Sequence, residues 1–515
     1  MKGKLSIIVS FLMVIALLAS CAPEAPAPEK DVIKIGKTTY ESLAKAVEAA
    51  VDGDTITVAE GSYAIDGAIE IAKKISIKGA GSDKTEFTVA DGVACDVFTI
   101  KAADVSVEGI SIKATSGEHH AFAVNANGFA FKNSSITGDF SNLEEKDTDP
   151  IMMGIAIAAG TEGTVIEGAV FTDCYTPVYA SSASFTIKDS KWNSGIEIDQ
   201  LPTDATVIKG NSTLDVEEYK GKINFINAET SQEAVAAFVE ANPGITFRIA
   251  GKTVIALSNS KAYTSIQPAI DDAPEKAKEA TVIKLLTSVS SGSSFGFTDA
   301  MASSGRNIVL DLNGNTYAFE SPAMGSVGYE TQAMHLSKGN ALTVKNGTLE
   351  ISAKTTSMKM FIQNYCDLTL DSVTVDGTNI YGSGKSYTIS NNNGTVVIKD
   401  SKVIAKNASG FAFDVCRYSS YDGPSVKVTG KSEIKGNIGI SCSGEKEGAV
   451  HELIIEGGFI DGEIKSDDSK HDKCPDFKST ITGGTFTSDP SAYVDTNKYA
   501  VIEDAEAKTW TVKAK

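Results

Sequence analysis

Positive charge is scarce in this chain of 515 residues. Lysine and arginine together number 47, and only three are arginines (Arg248, Arg306 and Arg417), against 66 aspartates and glutamates, for a formal charge of −19. A field of that sign repels phosphate backbones and other anionic polymers, which excludes nucleic acid as a partner class. The sequence also lacks any Cys-x-x-Cys pair, and with it the spacing that a zinc or thiol-redox site would need. Histidine is sparse, and His119 and His120 stand side by side; if they open the strand Ala121 to Val124, they leave it on opposite faces and do not share an ion. No cofactor is expected. Calcium, which takes oxygen ligands, would have to use Glu144, Glu145, Asp147 and Asp149, a group that reads by default as an exposed acidic loop. Six cysteines follow Cys21: Cys95, Cys174, Cys366, Cys416, Cys442 and Cys474. Their even number permits disulfides outside the cytoplasm, but the spacings show no framework, and buried unpaired thiols are the other reading.

What the chain has in abundance is repetition. A strand triplet with an apolar third residue is followed, two positions later, by a turn residue. The apolar positions are Ile77, Val107, Phe131, Ile166, Ile187 and Ile208, then Val344, Leu370, Ile398, Val428, Ile455 and Ile481. The turn residues are Gly79, Gly109, Asn133, Gly168, Asp189 and Gly210, then Asn346, Ser372, Asp400, Gly430, Gly457 and Gly483. Almost all of these residue types tolerate a left-handed backbone. Successive phrases are separated by 30, 24, 35, 21 and 21 residues in the first set and by 26, 28, 30, 27 and 26 in the second. Units of this length, each with two or three short strands, cannot bury an apolar face alone and must stack. The pattern predicts an all-β fold, a parallel β-helix. An antiparallel sandwich is the alternative, but it explains less well the fixed turn residue after each strand.

The repeats fall into two blocks that open alike. Val32 to Ile35, the segment Lys37 to Ala50 and Thr55 to Val58 match Val254 to Leu257, Lys261 to Ala280 and Thr281 to Leu285. In both, apolar residues at helical spacing (Leu43, Ala46, Val47, Ala50; Ile266, Ala269, Ile270, Ala273) predict a one-sided helix that caps an open solenoid end. Each block closes on a hairpin, Ile245–Ile249 with Thr253–Ala256 and Tyr499–Ile502 with Thr509–Val512. The expected organisation is therefore residues 1–21 as a signal, 22–31 as a Pro/Ala/Glu tether, 32–253 as one module and 254–515 as a second, each of about six coils.

These openings, together with Leu310-Asp311-Leu312-Asn313-Gly314-Asn315-Thr316 and Gly483-Gly484-Thr485-Phe486-Thr487-Ser488-Asp489-Pro490, resemble secreted and surface proteins of bacteria built on pectin-lyase-like right-handed β-helices. The resemblance implies a right-handed parallel β-helix in two tandem modules and leaves activity open, because the fold hosts lyases, hydrolases, esterases and adhesins. Lyases of this group use carboxylates, usually with calcium, and a basic residue as proton acceptor. Of the three arginines only Arg417, with Asp414 in Phe413-Asp414-Val415-Cys416-Arg417-Tyr418-Ser419-Ser420-Tyr421-Asp422, has such a setting, and these two are the candidate catalytic residues. An ion pair in a surface loop is the plainer reading. The carboxylate sets of the related hydrolases are not assembled; Asp467-Asp468 with His471 lies in a charged stretch that reads as a solvated loop. Tyr381, Tyr387, Tyr418 and Tyr421, with Tyr365, are candidate sugar-binding rings in the second block, as are Tyr175, Tyr179 and Trp192 in the first. Activity is expected in what varies between phrases, the loops at 138–152, 317–336, 376–393 and 412–424.

The N-terminus has Lys2 and Lys4, an apolar run from Leu5 to Leu18 and the tetrapeptide Leu18-Ala19-Ser20-Cys21. It resembles a bacterial lipoprotein signal, which implies cleavage before Cys21 and a lipid on its sulfur; the apolar run is short for a spanning helix. The expectation is a protein lipid-anchored to the cell envelope, on the outer membrane or surface, that binds glycan or a host or neighbouring-cell component without catalysis. A lyase or hydrolase with its site near Arg417 is the alternative, and a structural envelope protein the third.

Overall fold

The computed structural model describes residues 32–90, 96–113, 119–138, 152–192, 195–200, 207–209, 213–214, 222–225, 232–242, 244–442, 446, 448–466 and 476–515. Cys21 and the tether, Cys95, the acidic stretch 144–149, Asp467, Asp468, His471 and Cys474 lie outside the described residues.

The repeated phrase is the spine of the molecule. In the first stack Ile56, Ile77, Val107, Phe131, Ile166, Ile187 and Ile208 stand opposite one another in parallel register, coil upon coil. In the second the same ladder runs through Ile283, Leu310, Val344, Leu370, Ile398, Val428, Ile455 and Ile481. The result is a parallel β-solenoid of about 14 turns. Both ladders extend past the phrases that mark them, because the first rungs (Ile56; Ile283 and Leu310) carry Val58, Leu285 and Leu312 where a turn residue would stand. Val107, Phe131, Ile166, Ile187, Val344, Leu370, Ile398, Val428 and Ile455 have no exposure to solvent. Each such side chain contributes about 1.5–3 kcal/mol on burial.

The turn residues explain how the chain leaves this ladder at a constant angle. Asn133, Asp189, Asn346, Ser372 and Asp400 have φ between +46° and +59°, and Gly109, Gly168 and Gly430 share the left-handed region. Gly457 and Gly483 do not; there the positive φ falls on the next residue, Gly458 (+93°) and Gly484 (+105°). Gly79 is needed for closeness instead, since a Cβ on it would collide with the Gly109 carbonyl oxygen.

Three sheets of nine, seven and nine strands form the first stack; an 18-stranded sheet and a six-stranded sheet form the second. The 18-stranded sheet is two faces joined, because Ala341–Ile351 and Asp367–Asp376 run through the corner without a break. The six-stranded sheet corrects the expectation of loops at 317–336, 376–393 and 412–424, which overlap its strands Gln332–Leu336, Tyr387–Asn391 and Phe411–Arg417. Nearly all of their residues are buried on both faces, so they show none of the alternation that marks the other strands.

The helix Leu43–Ala49 buries Leu43, Ala46 and Val47, and the Ser42 hydroxyl accepts the Lys45 N–H at 3.3 Å as its N-cap. The helix Ile266–Asp271 buries Ile266, Ala269 and Ile270 in the equivalent place. A third helix, Gln232–Ala241, was not anticipated; it buries Val235, Ala236, Phe238 and Val239 and sets Phe238 edge-on to Phe247 at 5.6 Å. Lys252–Thr253 ends one set of sheets and Ala256–Ser258 begins the next, with no strand pairing between the two sets among the described residues. Side chains do interleave there: Val254 and Ala262 belong to the first hydrophobic cluster, Ile255 and Ala256 to the second.

Candidate functional site

The six-stranded sheet delivers its strand ends to one edge of the second stack. After Leu336, Asn364, Asn391 and Arg417 the chain turns and enters the ladder strands that begin at Ala341, Asp367, Gly394 and Pro424. Buried asparagines fix these turns. Asn364 Nδ2 donates to Asn391 Oδ1 and to the Cys366 carbonyl, both at 2.9 Å, and Asn393 Nδ2 donates to the Tyr365 carbonyl at 3.0 Å while its Oδ1 accepts the Gly423 N–H at 3.1 Å. Gly423 adopts φ +95° and lies so near Val450 that a Cβ would overlap the Val450 carbonyl oxygen. Turns tied to each other in this way hold their outward side chains at the coil spacing.

Those side chains form a row. Tyr365 and Tyr421 have ring centroids 5.1 Å apart, Tyr421 and Tyr418 6.3 Å, and Lys338 Nζ stands 5.6 Å from the Tyr421 centroid. Beside them runs an open groove of about 340 Å³ lined by Tyr365, Asp367, Asn393, Thr395, Asp422 and Val450, among others. Tyr418 and Val450 are exposed by 45% and 47%. The Asp367 carboxylate accepts the Thr395 N–H at 3.1 Å. Lys446, hydrogen-bonded and ion-paired to Asp422, holds that carboxyl below its usual range. Burial pushes the Tyr365 hydroxyl up to about 12, so it is a neutral hydrogen-bonding group at any physiological pH. Flat rings flanked by amides, a cation and carboxylates can hold the apolar face of a sugar and its hydroxyl edge together.

The sequence candidates separate. Tyr418 and Tyr421 meet in this row with Tyr365. Tyr387 opens its strand and stacks on Phe411 at 5.3 Å, and Tyr381 sits in the turn before it; both lie at the other end of the sheet, roughly 15 Å away along a five-residue strand. Trp192 is a core side chain, 1% exposed. Asp414 and Arg417 occupy a strand and not a surface loop, each 3% exposed. Asp414 accepts the Asn391 N–H at 2.6 Å and the Ser390 hydroxyl at 3.4 Å. Arg417 reaches a later coil, where Nη1 meets Asp476 at 2.7 Å and Nη2 and Nε meet Cys442 Sγ at 3.0 and 3.3 Å. Cys174, Cys366, Cys416 and Cys442 are buried thiols. His120, in the strand His119–Val124, pairs with Asp96 at 2.7 Å. Among the described residues no three metal-ligating side chains come together, and no helix is long and apolar enough to cross a membrane.

Sequence reasoning missed Lys338, Gln363, Asp367 and His335. The signal was present in the coil interval, since Asn364 and Asn391 occupy equivalent places on successive coils and each opens a short turn into the next strand, Asn364-Tyr365-Cys366-Asp367 and Asn391-Asn392-Asn393-Gly394. A larger cleft of about 500 Å³ lies between the two stacks, against Phe247, Leu257, Val282 and Lys284, and no tyrosine lines it.

No protein-family model matches the sequence, and no curated protein matches it. Among solved structures, the chain is similar to the catalytic domain of a GH87 alpha-1,3-glucanase in complex with tetrasaccharides, with 10% identity and a TM-score of 0.25. The same domain in complex with nigerose gives 9% identity and a TM-score of 0.23. Each alignment covers 85% of this chain and 66% of the other, so this chain spans just under two thirds of their length.

Proposed function

We propose that this protein is an envelope-anchored lipoprotein that binds glycans without catalysis, through the tyrosine groove of its second stack. One observation carries the reading: the row Tyr365, Tyr421 and Tyr418, with Lys338, stands beside an open groove that Tyr365 lines together with Asp367, Asn393, Thr395, Asp422 and Ser425. Ring-on-ring stacking with a sugar is worth about 1 kcal/mol or somewhat more beyond the area it buries, and a groove of this kind adds contacts along an extended ligand. Lipid on Cys21 and a proline-bearing tether would stand the solenoid off the membrane and leave the groove facing outward.

The mature protein, screened on a glycan array, should retain a restricted set of glycans and release neither new reducing ends nor unsaturated uronate. Tyr421→Ala and Tyr418→Ala should each weaken retention by roughly fivefold to tenfold, with unchanged circular dichroism. Turnover that disappears on Arg417→Ala would replace this reading with the enzymatic one. Expression in a bacterial host with an alkyne fatty acid should label the protein, and Cys21→Ala should abolish the label.

A further inference from the structure

At the N-terminal end of the first stack the three sheets finish differently. One ends on the reversed strands Ile33–Ile35 and Thr38–Tyr40. Another ends on Ile69–Ile71, against which the capping helix Leu43–Ala49 packs. The seven-stranded sheet ends on Gly61–Ile65, and among the described residues no strand lies on its outer side. These five residues pair without a break with Thr85–Val89. Gly61 N–H donates to the Lys84 carbonyl at 2.9 Å, and the Ile65 carbonyl accepts the Ala90 N–H at 3.0 Å, so residues 61, 63 and 65 turn their backbone groups toward the sheet. A parallel ladder alternates, which turns the N–H and C=O of Ser62 and Ala64 to the open side. Open edges are ordinarily blunted by a charge, a proline or a bulge. Gly61-Ser62-Tyr63-Ala64-Ile65 has none of the three.

We propose that this edge is a docking site for one extended polypeptide strand of another protein, added to the sheet by backbone hydrogen bonds. A row of donors and acceptors at strand spacing is matched by another peptide backbone and by little else. A further solenoid coil from a second copy does not fit, because it would have to extend all three sheets at once, and the reversed strands and the capping helix occupy two of the three places. Antiparallel pairing of Gly61–Ile65 with itself, centred on Tyr63, sets Glu60 opposite Asp66, like charge on like. Residues 22–31 of the same chain are poor guests, since Pro23, Pro26 and Pro28 have no N–H to give and Glu24, Glu29 and Asp31 repeat the sign of Asp66. The side chains around the edge define the guest. Tyr63, half-buried with its ring 5.3 Å from that of Phe87, and buried Ile65 face the stack interior, so guest residues beside them are apolar. Ser62 and Ala64 are small and exposed, which leaves the alternate guest positions free to be polar. Exposed Asp66 favours lysine or arginine at the guest's end. The site is separate from the tyrosine groove, which lies on the other stack, and does not depend on what that groove binds.

The test offers the mature protein a synthetic eight-residue peptide that alternates valine and threonine between terminal lysines, and the same peptide with its six central amides N-methylated. The expected result is that the first peptide binds and slows hydrogen exchange at the Ser62 and Ala64 amides, and that the methylated one binds at least tenfold more weakly. Ala64→Pro removes an outward N–H and none of the inward ones, so it should cost roughly tenfold in affinity with unchanged circular dichroism. The methylated peptide decides the matter on the unaltered chain if that variant does not fold. Absence of binding, equal affinity for the methylated peptide, or full affinity in folded Ala64→Pro overturns the proposal. So do Ser62 and Ala64 amides that exchange as slowly as those of Tyr63 and Ile65 before any peptide is added, which would mean that the chain covers its own edge. Dimers that Ala64→Pro converts to monomers overturn it as well, by making a second copy the occupant.

Discussion

At the residue scale, burial decides chemistry more than identity does. Cys174 and Cys366 sit among the coils with at most 1% exposure, and desolvation pushes the Cys174 thiol from its ordinary 9.0 up to about 12 and the Cys366 thiol higher still. A thiol that cannot ionise is neither nucleophile nor ligand. Both should resist iodoacetamide at pH 8 until the protein is denatured, as mass spectrometry of alkylated peptides would show. The same shifts have a thermodynamic consequence whose sign follows from proton counts. Above pH 9 the unfolded chain releases thiol protons that the folded chain keeps, so the unfolded state binds fewer protons and stability falls as pH rises. Buried Tyr317 acts in the same direction over a higher range. The urea midpoint should therefore be flat from pH 7 to pH 8.5 and drop steadily between pH 9 and pH 11. A midpoint that holds to pH 11 would mean these groups are hydrated in solution.

At the scale of elements, what was legible in the sequence was whatever a coil must repeat. The ladder strands alternate one buried and one more exposed face, as in Phe185–Lys188 and Gly394–Lys399, and their turns need a left-handed residue, so their positions could be counted off the chain. The capping helices were legible for the same reason, through Leu43, Ala46 and Val47 on one face. The strand Phe411–Arg417 was not, because a strand buried on both sides carries no period, and Asp414 and Arg417 among its apolar residues suggested a surface loop. The site was legible only in part: the tyrosines were visible as a cluster in sequence, but which of them share an edge depends on coil register, and His335, two coils from Ser390 on the same sheet, gave no sign of its place. Leu43→Ala should remove about 3 kcal/mol, as a core truncation that leaves a cavity under the cap. Calorimetry should place that loss in the transition of the first stack and leave the second unmoved; an equal shift in both would show that the stacks unfold together.

At the scale of the whole molecule, each end of each stack has one sheet that finishes on strands that run the wrong way. Thr38–Tyr40 and Ile33–Ile35 lie antiparallel before the first parallel ladder, and Lys252–Thr253 reverses after it. Ala256–Ser258 and Lys261–Tyr263 do the same before the second ladder, and Tyr499–Asp504 with Thr509–Ala514 closes it. A parallel stack whose last rung were bare would be a template, since a second copy could add its first rung in register and a third could follow, which is the growth law of a fibril. The reversed strands present the opposite hydrogen-bond pattern and break that register. A chain ending before Tyr499 loses this terminus and exposes the edge of the strand that holds Phe486. It should assemble into thioflavin-positive filaments at concentrations where the full chain stays monomeric by light scattering. The closing hairpins thus fix the number of turns, and they make an object that could grow without limit into a particle of one size.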